Sequence, residues 1–120
     1  LAYYDAKIDR VNGPAMAFSV FCVQYARLGD AAKAEEMFRR CYRPNLRPLF
    51  GVLAETPTSH NPYFTTCAGG MLQAVMNGFG GLEITDKGIV RRETVLPASW
   101  KRLTIKGVGP ERRTYVINNR

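Results

Sequence analysis

Formal charge is almost missing from one long stretch of this chain. Between Arg47 and Glu83 the single formally charged side chain is Glu55, within FGVLAETPTSHNPYFTTCAGGMLQAVMNGFGG, while Lys and Arg are dense elsewhere. Long apolar runs are also lacking. None approaches the roughly 20 residues a membrane-spanning helix needs, so no membrane partner is expected. No signal peptide is visible, and the chain begins at Leu1 rather than Met, which reads as a fragment or a processed product. Cysteine is scarce: Cys22, Cys41 and Cys67 are an odd number without CxxC spacing. That count argues against a disulfide framework and against a metal site, and it favours a reducing cytoplasm. No cofactor is expected. Cys22 and Cys67 lie among apolar residues, where a free thiol behaves as a small buried hydrophobe.

What is present suits one small domain, since domains commonly hold about 100–150 residues. The 120 residues are 46% hydrophobic and 22% charged, enough apolar material for a core. Net charge is +7, from 17 Lys+Arg against 10 Asp+Glu. Such a balance can mark a polyanion-binding surface. Here the basic residues are spread along the chain, from Arg39, Arg40, Arg43 and Arg47 to Arg112 and Arg113, on faces expected to meet solvent. Nucleic acid is therefore not the expected partner.

Asn12-Gly13-Pro14 reads as a helix start with Pro14 at the first helical position, where its missing N–H costs nothing. The following AMAFSVFCVQYARL, Ala15 to Leu28, is apolar on nearly every face, the pattern of a helix buried on most sides. Gly29 suits its C-terminal cap, and Asp30 the N-cap of a second helix from Ala31 to about Tyr42. There Ala34, Met37, Phe38 and Cys41 share one face. Together the two helices predict an antiparallel hairpin with an inner and an outer member.

Pro44 and Pro48 end that region, and no regular structure is predicted from Asn45 to Thr65. A loop this long in a compact domain is commonly functional or disordered, and its aromatics oppose disorder. A third helix is predicted over about Ala68 to Phe79, capped by Thr65 or Thr66. Its Gly69, Gly70 and Gly78 cost helix propensity, which close approach of another backbone or a ligand explains. After Gly80-Gly81 come short β-branched segments, Leu82–Thr85, Gly88–Arg92, Lys101–Lys106 and Arg113–Asn118, with a hairpin turn at Asp86-Lys87-Gly88. The reading is α+β: a helical part over 1–81 and a small antiparallel β part over 82–120. The first and third helices carry more apolar surface than one amphipathic partner covers. Such a chain is a piece of a larger helical barrel or an obligate homo-oligomer.

Glu55 has two readings. An unpaired carboxylate in an apolar setting is costly, and that setting raises its pKa toward the range of working acids and bases. Alternatively, it sits on an exposed loop tip and does nothing.

The run from GPAMAFSVF to GFGGLEI resembles the last helical repeats of the catalytic domain of glycoside hydrolase family 65. The LPASWKRLTIKG that follows is similar to the small β domain closing those enzymes. The resemblance covers about Asn12 to Gly107, and its most specific parts are FGVLAETP, NPYFTTCAGGMLQAVMNGFGGLEI and LPASWKRLTIKG. It implies the last hairpins of an (α/α)6 barrel followed by a small antiparallel β domain, and an inverting enzyme acting on α-glucosides.

One branch of that family hydrolyses and the other uses inorganic phosphate. An inverting hydrolase needs an acid and a carboxylate base about 6.5–9.5 Å apart with water between. A phosphorylase needs no such base, and its phosphate would be repelled by one. Glu55 in the ETP element and Thr66-Cys67-Ala68-Gly69-Gly70 at the helix start resemble the hydrolase branch. The resemblance makes Glu55 the general base. It makes Thr58 and Asn61 candidates to hydrogen-bond sugar hydroxyls, and Tyr63 or Phe64 candidates to line the sugar subsite; loop packing is the plain alternative for each. His60 does not sit in a setting like the phosphate cradle. The general acid belongs to an earlier segment that nothing before Asn12 matches, and Asp5 and Asp9 do not replace it. The partners implied are an α-glucoside and the missing N-terminal part of the same polypeptide, so this chain alone is expected to be inert. The competing readings are a phosphorylase of the same family and a small basic polyanion-binding module.

Overall fold

The structure, a computed structural model, describes residues 1–61 and 63–119. A short helix α1 (Ala2–Asp5) precedes α2 (Ala15–Arg27) and α3 (Ala31–Tyr42). Pro14 is the N-cap of α2, one position earlier than the composition suggested, with extended backbone at ψ 139°. Gly29 at φ 84° turns the chain after α2. The Asp30 carboxylate then accepts the Lys33 N–H at 2.9 Å and starts α3. Both boundary signals at this turn act as expected, because each satisfies backbone groups a helix end leaves open.

α2 is the inner helix. Phe18, Cys22 and Ala26 are buried along it against Ala34, Met37 and Cys41 of α3. The outward side of α3 is laced by ion pairs, Arg39 with Glu35 and Arg40 with Glu36.

The third helix starts at Thr65, three residues earlier than expected. Thr65 and Thr66 lie inside it rather than capping it; Phe64 is its N-cap and makes no side-chain cap. This α4 (Thr65–Gln73) runs on as a π-helical stretch, Ala74–Phe79. Two of its glycines answer to close packing. A Cβ on Gly70 would come within 2.5 Å of Ser19 Oγ, and one on Gly78 within 3.2 Å of Val23 Cα, both atoms of α2. Gly69 meets nothing within 4 Å, so close approach does not explain it.

The β part is two separate antiparallel hairpins among the described residues. β1 (Leu82–Thr85) pairs with β2 (Gly88–Arg91), and β3 (Arg102–Val108) with β4 (Arg113–Asn118), with a register shift between Ile105 and Val108. Residues alternate along β3 and β4, turning Leu103, Ile105, Tyr115 and Ile117 inward. Leu96 and Ile117 join the same hydrophobic cluster as Phe18, Met37 and Phe79, so the core is continuous across Gly81. Phe38, Phe79 and Trp100 meet there with ring centroids 5.1–5.7 Å apart. Burying a large apolar side chain contributes about 1.5–3 kcal/mol, so this trio is a main fastening of helices to strands. Thr94 adds polar stitching: its hydroxyl lies 3.1 Å from the Ala26 carbonyl and 2.8 Å from that of Gly78.

Gly81 is the joint. Its φ is 65°, its carbonyl accepts the Arg92 N–H at 2.7 Å, and a Cβ there would overlap the Arg92 carbonyl oxygen. At the other end of the chain, buried Asp5 fastens the first residues to the hairpin. It accepts from the Tyr25 hydroxyl at 2.7 Å and from Arg10, with Lys33 at 3.8 Å. Burial works against the charged Asp5, but Tyr25, Arg10 and Lys33 outweigh it and hold its pKa below 3.8. The same hydrogen bond is the main cause that pushes the Tyr25 hydroxyl up to about 12.

Two outcomes follow for stability. Gly81→Ala combines a left-handed backbone with an overlap and is expected to cost about 2–4 kcal/mol in denaturant unfolding; a loss below about 1 kcal/mol would remove the joint. Asp5 is more acidic folded than unfolded, so its stabilisation is full above pH 3.8 and is lost as pH falls through its folded value. Asp5→Asn should therefore lower Tm at neutral pH and converge on the unchanged protein on acidification; a gap that persists in acid contradicts this.

Candidate active site

Glu55 lies on the segment joining α3 to α4, and main-chain bonds fix that segment tightly. Leu46 and Leu53 form an isolated antiparallel bridge. Arg47 N–H donates to Val52 at 2.9 Å, and Ala54 N–H to the Asn45 carbonyl at 2.9 Å. Phe64 N–H donates to the Leu53 carbonyl at 2.7 Å, which draws the start of α4 beside the residues preceding Glu55. The carbonyl of Glu55 itself accepts the Ala15 N–H at 3.0 Å, an orphan donor of the first turn of α2. Downstream, Thr56 and Ser59 close a turn by exchanging N–H to hydroxyl bonds of 3.1 Å in both directions.

The Glu55 side chain is half-buried. Among the described residues its carboxylate has no hydrogen-bond or ion-pair partner, although its backbone is held from both sides. Thr58, His60, Asn61 and Tyr63 are exposed, and Phe64 is half-buried. Tyr63 holds φ at 61° and is 73% exposed, a conformation non-glycine residues seldom adopt and one found disproportionately at ligand sites. The segment thus carries the five nominated residues in sequence order. A large apolar hollow, about 700 Å³, is lined by Pro14, Met16 and Val20 of the α2 side and Thr66, Gly69 and Gln73 of α4. None of the nominated residues lines it, nor the two hollows beside the β hairpins. Glu55 is bonded through its carbonyl to Ala15, which lies between Pro14 and Met16 of the apolar hollow's lining.

Sequence reasoning passed over two residues here. Arg47 turns its guanidinium onto the carbonyls of Thr56, Pro57 and Ser59 at 2.8, 3.0 and 3.0 Å, and onto those of Pro44 and Leu46 at 3.3 Å each. Its one signal was position: it is the last cation before the charge-poor stretch. Asn45 is buried, donates weakly to the Cys41 carbonyl at 3.4 Å, and leaves its Oδ1 unbonded among the described residues. Nothing in the sequence marked it.

Asp5 and Asp9 are committed elsewhere, Asp5 to Tyr25 and Arg10, Asp9 to the Val11 and Asn12 N–H groups at 2.8 and 3.0 Å. Arg92 and Arg113 are likewise paired, with Glu83 and Glu111.

No protein-family model matches the chain. Over 117 residues, 98% of its length, it is 48% identical to a kojibiose hydrolase of Mucilaginibacter mallensis. It belongs to glycoside hydrolase family 65. Its likeness also reaches a protein-glucosylgalactosylhydroxylysine glucosidase of Danio rerio, 33% identical over 90% of the chain, and a kojibiose phosphorylase of Caldanaerobacter subterraneus subsp. tengcongensis, 27% identical over 87%. The chain spans 17%, 16% and 12% of these family 65 relatives.

The cysteines of this family 65 segment are all buried and free, with Cys67 Sγ 3.1 Å from the Cys41 carbonyl. Burial pushes all three thiols up, Cys41 to about 12. Cysteine reactivity needs the thiolate, so none should react with Ellman's reagent in the folded protein, and all should react in denaturant. Rapid labelling of any one before unfolding contradicts that burial.

Proposed function

We propose that residues 1–81 are the last helical part of an (α/α)6 catalytic barrel and residues 82–120 the small β domain that follows it. The parent polypeptide hydrolyses an α-glucoside with inversion, and Glu55 is the general base. Its carboxylate takes a proton from the attacking water while an acid on another segment protonates the leaving oxygen. The observation that carries this reading is the contrast at Glu55: a backbone fixed to α2, and a half-buried carboxylate with no partner among the described residues. A base needs a fixed position and free lone pairs.

Other features support it. Met16, Val20, Leu72 and Met76 leave apolar surface on α2 and on the helix running from Thr65, as expected of helices with neighbours still to be supplied. Among the described residues the Thr58 and Asn61 side chains have no hydrogen-bond partner and are free for sugar hydroxyls, while Tyr63 and Phe64 offer rings. The kojibiose hydrolase relative makes a kojibiose-type α-glucosyl disaccharide the first substrate to test.

A phosphorylase is the second reading. The first turn of α4 has no side-chain cap, and its Thr65 and Thr66 are exposed, a setting that suits an anion. An unpaired Glu55 carboxylate opposes phosphate there. A polyanion-binding module is opposed by the pairing of Arg39, Arg40, Arg92 and Arg113 with carboxylates.

Anomer-resolved NMR on the full-length polypeptide tests the reading. β-Glucose should appear first from an α-glucoside, at a rate indifferent to phosphate, and the isolated chain should show no glucosidase activity. Glu55→Gln should lower kcat by about 10²–10⁴-fold. First appearance of the α-anomer, phosphate dependence, or a normal rate in Glu55→Gln would each overturn it.

A further inference from the structure

We propose that Arg47 is the positioning residue for the Glu55 carboxylate. This rests on the reading of Glu55 as the base and adds a role that no sequence pattern assigned.

A guanidinium presents five N–H donors in a planar fork and keeps its charge at any working pH. In Arg47 that fork reaches five backbone carbonyls and, among the described residues, no carboxylate. Pro44 and Leu46 lie before Glu55 in the chain; Thr56, Pro57 and Ser59 lie after it. The first two are Arg47's own neighbours in the chain, so the side chain joins its own stretch, the tongue before Glu55, to the turn that follows Glu55. The shortest contact, 2.8 Å, goes to Thr56, the residue next to Glu55.

The other anchors do not do this work. The Asn45 carbonyl fixes the Ala54 N–H before Glu55, and the Ala15 N–H fixes the Glu55 carbonyl, in the peptide that joins Glu55 to Thr56. Beyond it, the Thr56–Ser59 turn is closed on itself. Among the described residues Arg47 is the side chain that ties that turn back to the Leu46–Leu53 tongue, which the Phe64 N–H reaches only further along. Without Arg47 the carbonyls of Thr56, Pro57 and Ser59 lose their shared donor, the peptide leaving Glu55 is held at the Ala15 bond alone among these anchors, and the carboxylate direction is free to drift. A cation spent on carbonyl dipoles leaves the single carboxylate of the segment without a salt bridge, which a proton-accepting group requires.

The experiment uses the full-length polypeptide with Arg47→Ala, Arg47→Lys and Glu55→Gln, measuring kcat and KM separately together with Tm. Displacement of a catalytic group by about 1 Å costs on the order of 10²-fold, so Arg47→Ala should lose kcat on that scale with KM little changed. Methylguanidinium at sub-denaturing concentration should restore part of that kcat and should do nothing for Glu55→Gln. Lysine has three donors on one point and cannot span both flanks, so Arg47→Lys should fall between. A folded Arg47→Ala with normal kcat overturns the proposal, as does a loss that guanidinium fails to restore. If Arg47→Ala does not fold, Arg47→Lys decides by the same split: loss in kcat supports the role, loss in KM or Tm alone overturns it. A normal rate in Glu55→Gln would remove the base instead, a result separable from any of these.

Discussion

The close approach of α2 to the helix that begins at Thr65 is the constraint on which the arrangement around Glu55 depends. Gly70 faces Ser19 and Gly78 faces Val23 with no room for a Cβ to be added without displacement. Two helices this near each other bring their first turns side by side. The segment that enters α4 is then within reach of the head of α2, and the Ala15 N–H meets the Glu55 carbonyl. The glycines cost helix propensity, roughly 1 kcal/mol each against alanine, and the contact with α2 compensates for it. The chain lengthens its helix through a π-helical stretch before Gly80 and Gly81, where the backbone turns into β1.

Charge is distributed by the same logic. The outer face of α3 is a lattice of ion pairs, and partly exposed pairs of this kind contribute little stability individually. Asp5 is different, being buried and satisfied by Tyr25 and Arg10, so it fixes the first residues onto the hairpin. Around Glu55 the chain does the reverse. It supplies a cation whose two terminal nitrogens donate to main-chain oxygens, and it leaves the carboxylate unbonded among the described residues. Backbone amides and carbonyls do the fixing that salt bridges do elsewhere.

The β part is more than an appendage to the helices. Leu96, Trp100 and Ile117 complete the cluster around Phe38 and Phe79, and Thr94 closes on carbonyls of α2 and of the π-helical stretch. Apolar surface remains exposed on the helices, at Met16, Val20, Leu72 and Met76. The chain is therefore well packed toward its β side and leaves apolar helix surface exposed, consistent with a segment covering 17% of its kojibiose hydrolase relative.

Local chemistry made much of this legible in the amino-acid sequence. The Gly29-Asp30 turn, the amphipathic α3, the alternation along β3 and β4 and the isolation of Glu55 all depend on residues within a few positions of one another. Helix starts were less legible: Thr65 and Thr66 resemble caps, but the Phe64 N–H bond to Leu53 draws the helix back to begin at Thr65. The role of Arg47 and the burial of Asn45 were invisible, because their partners are carbonyls, and every residue carries one. The sequence by itself determined the lone carboxylate and, through motifs such as FGVLAETP and LPASWKRLTIKG, the resemblance to family 65. Only the tertiary structure decided which backbone atoms hold that carboxylate's residue in place, since hydrogen bonds between distant main-chain groups leave no signature in side-chain identity.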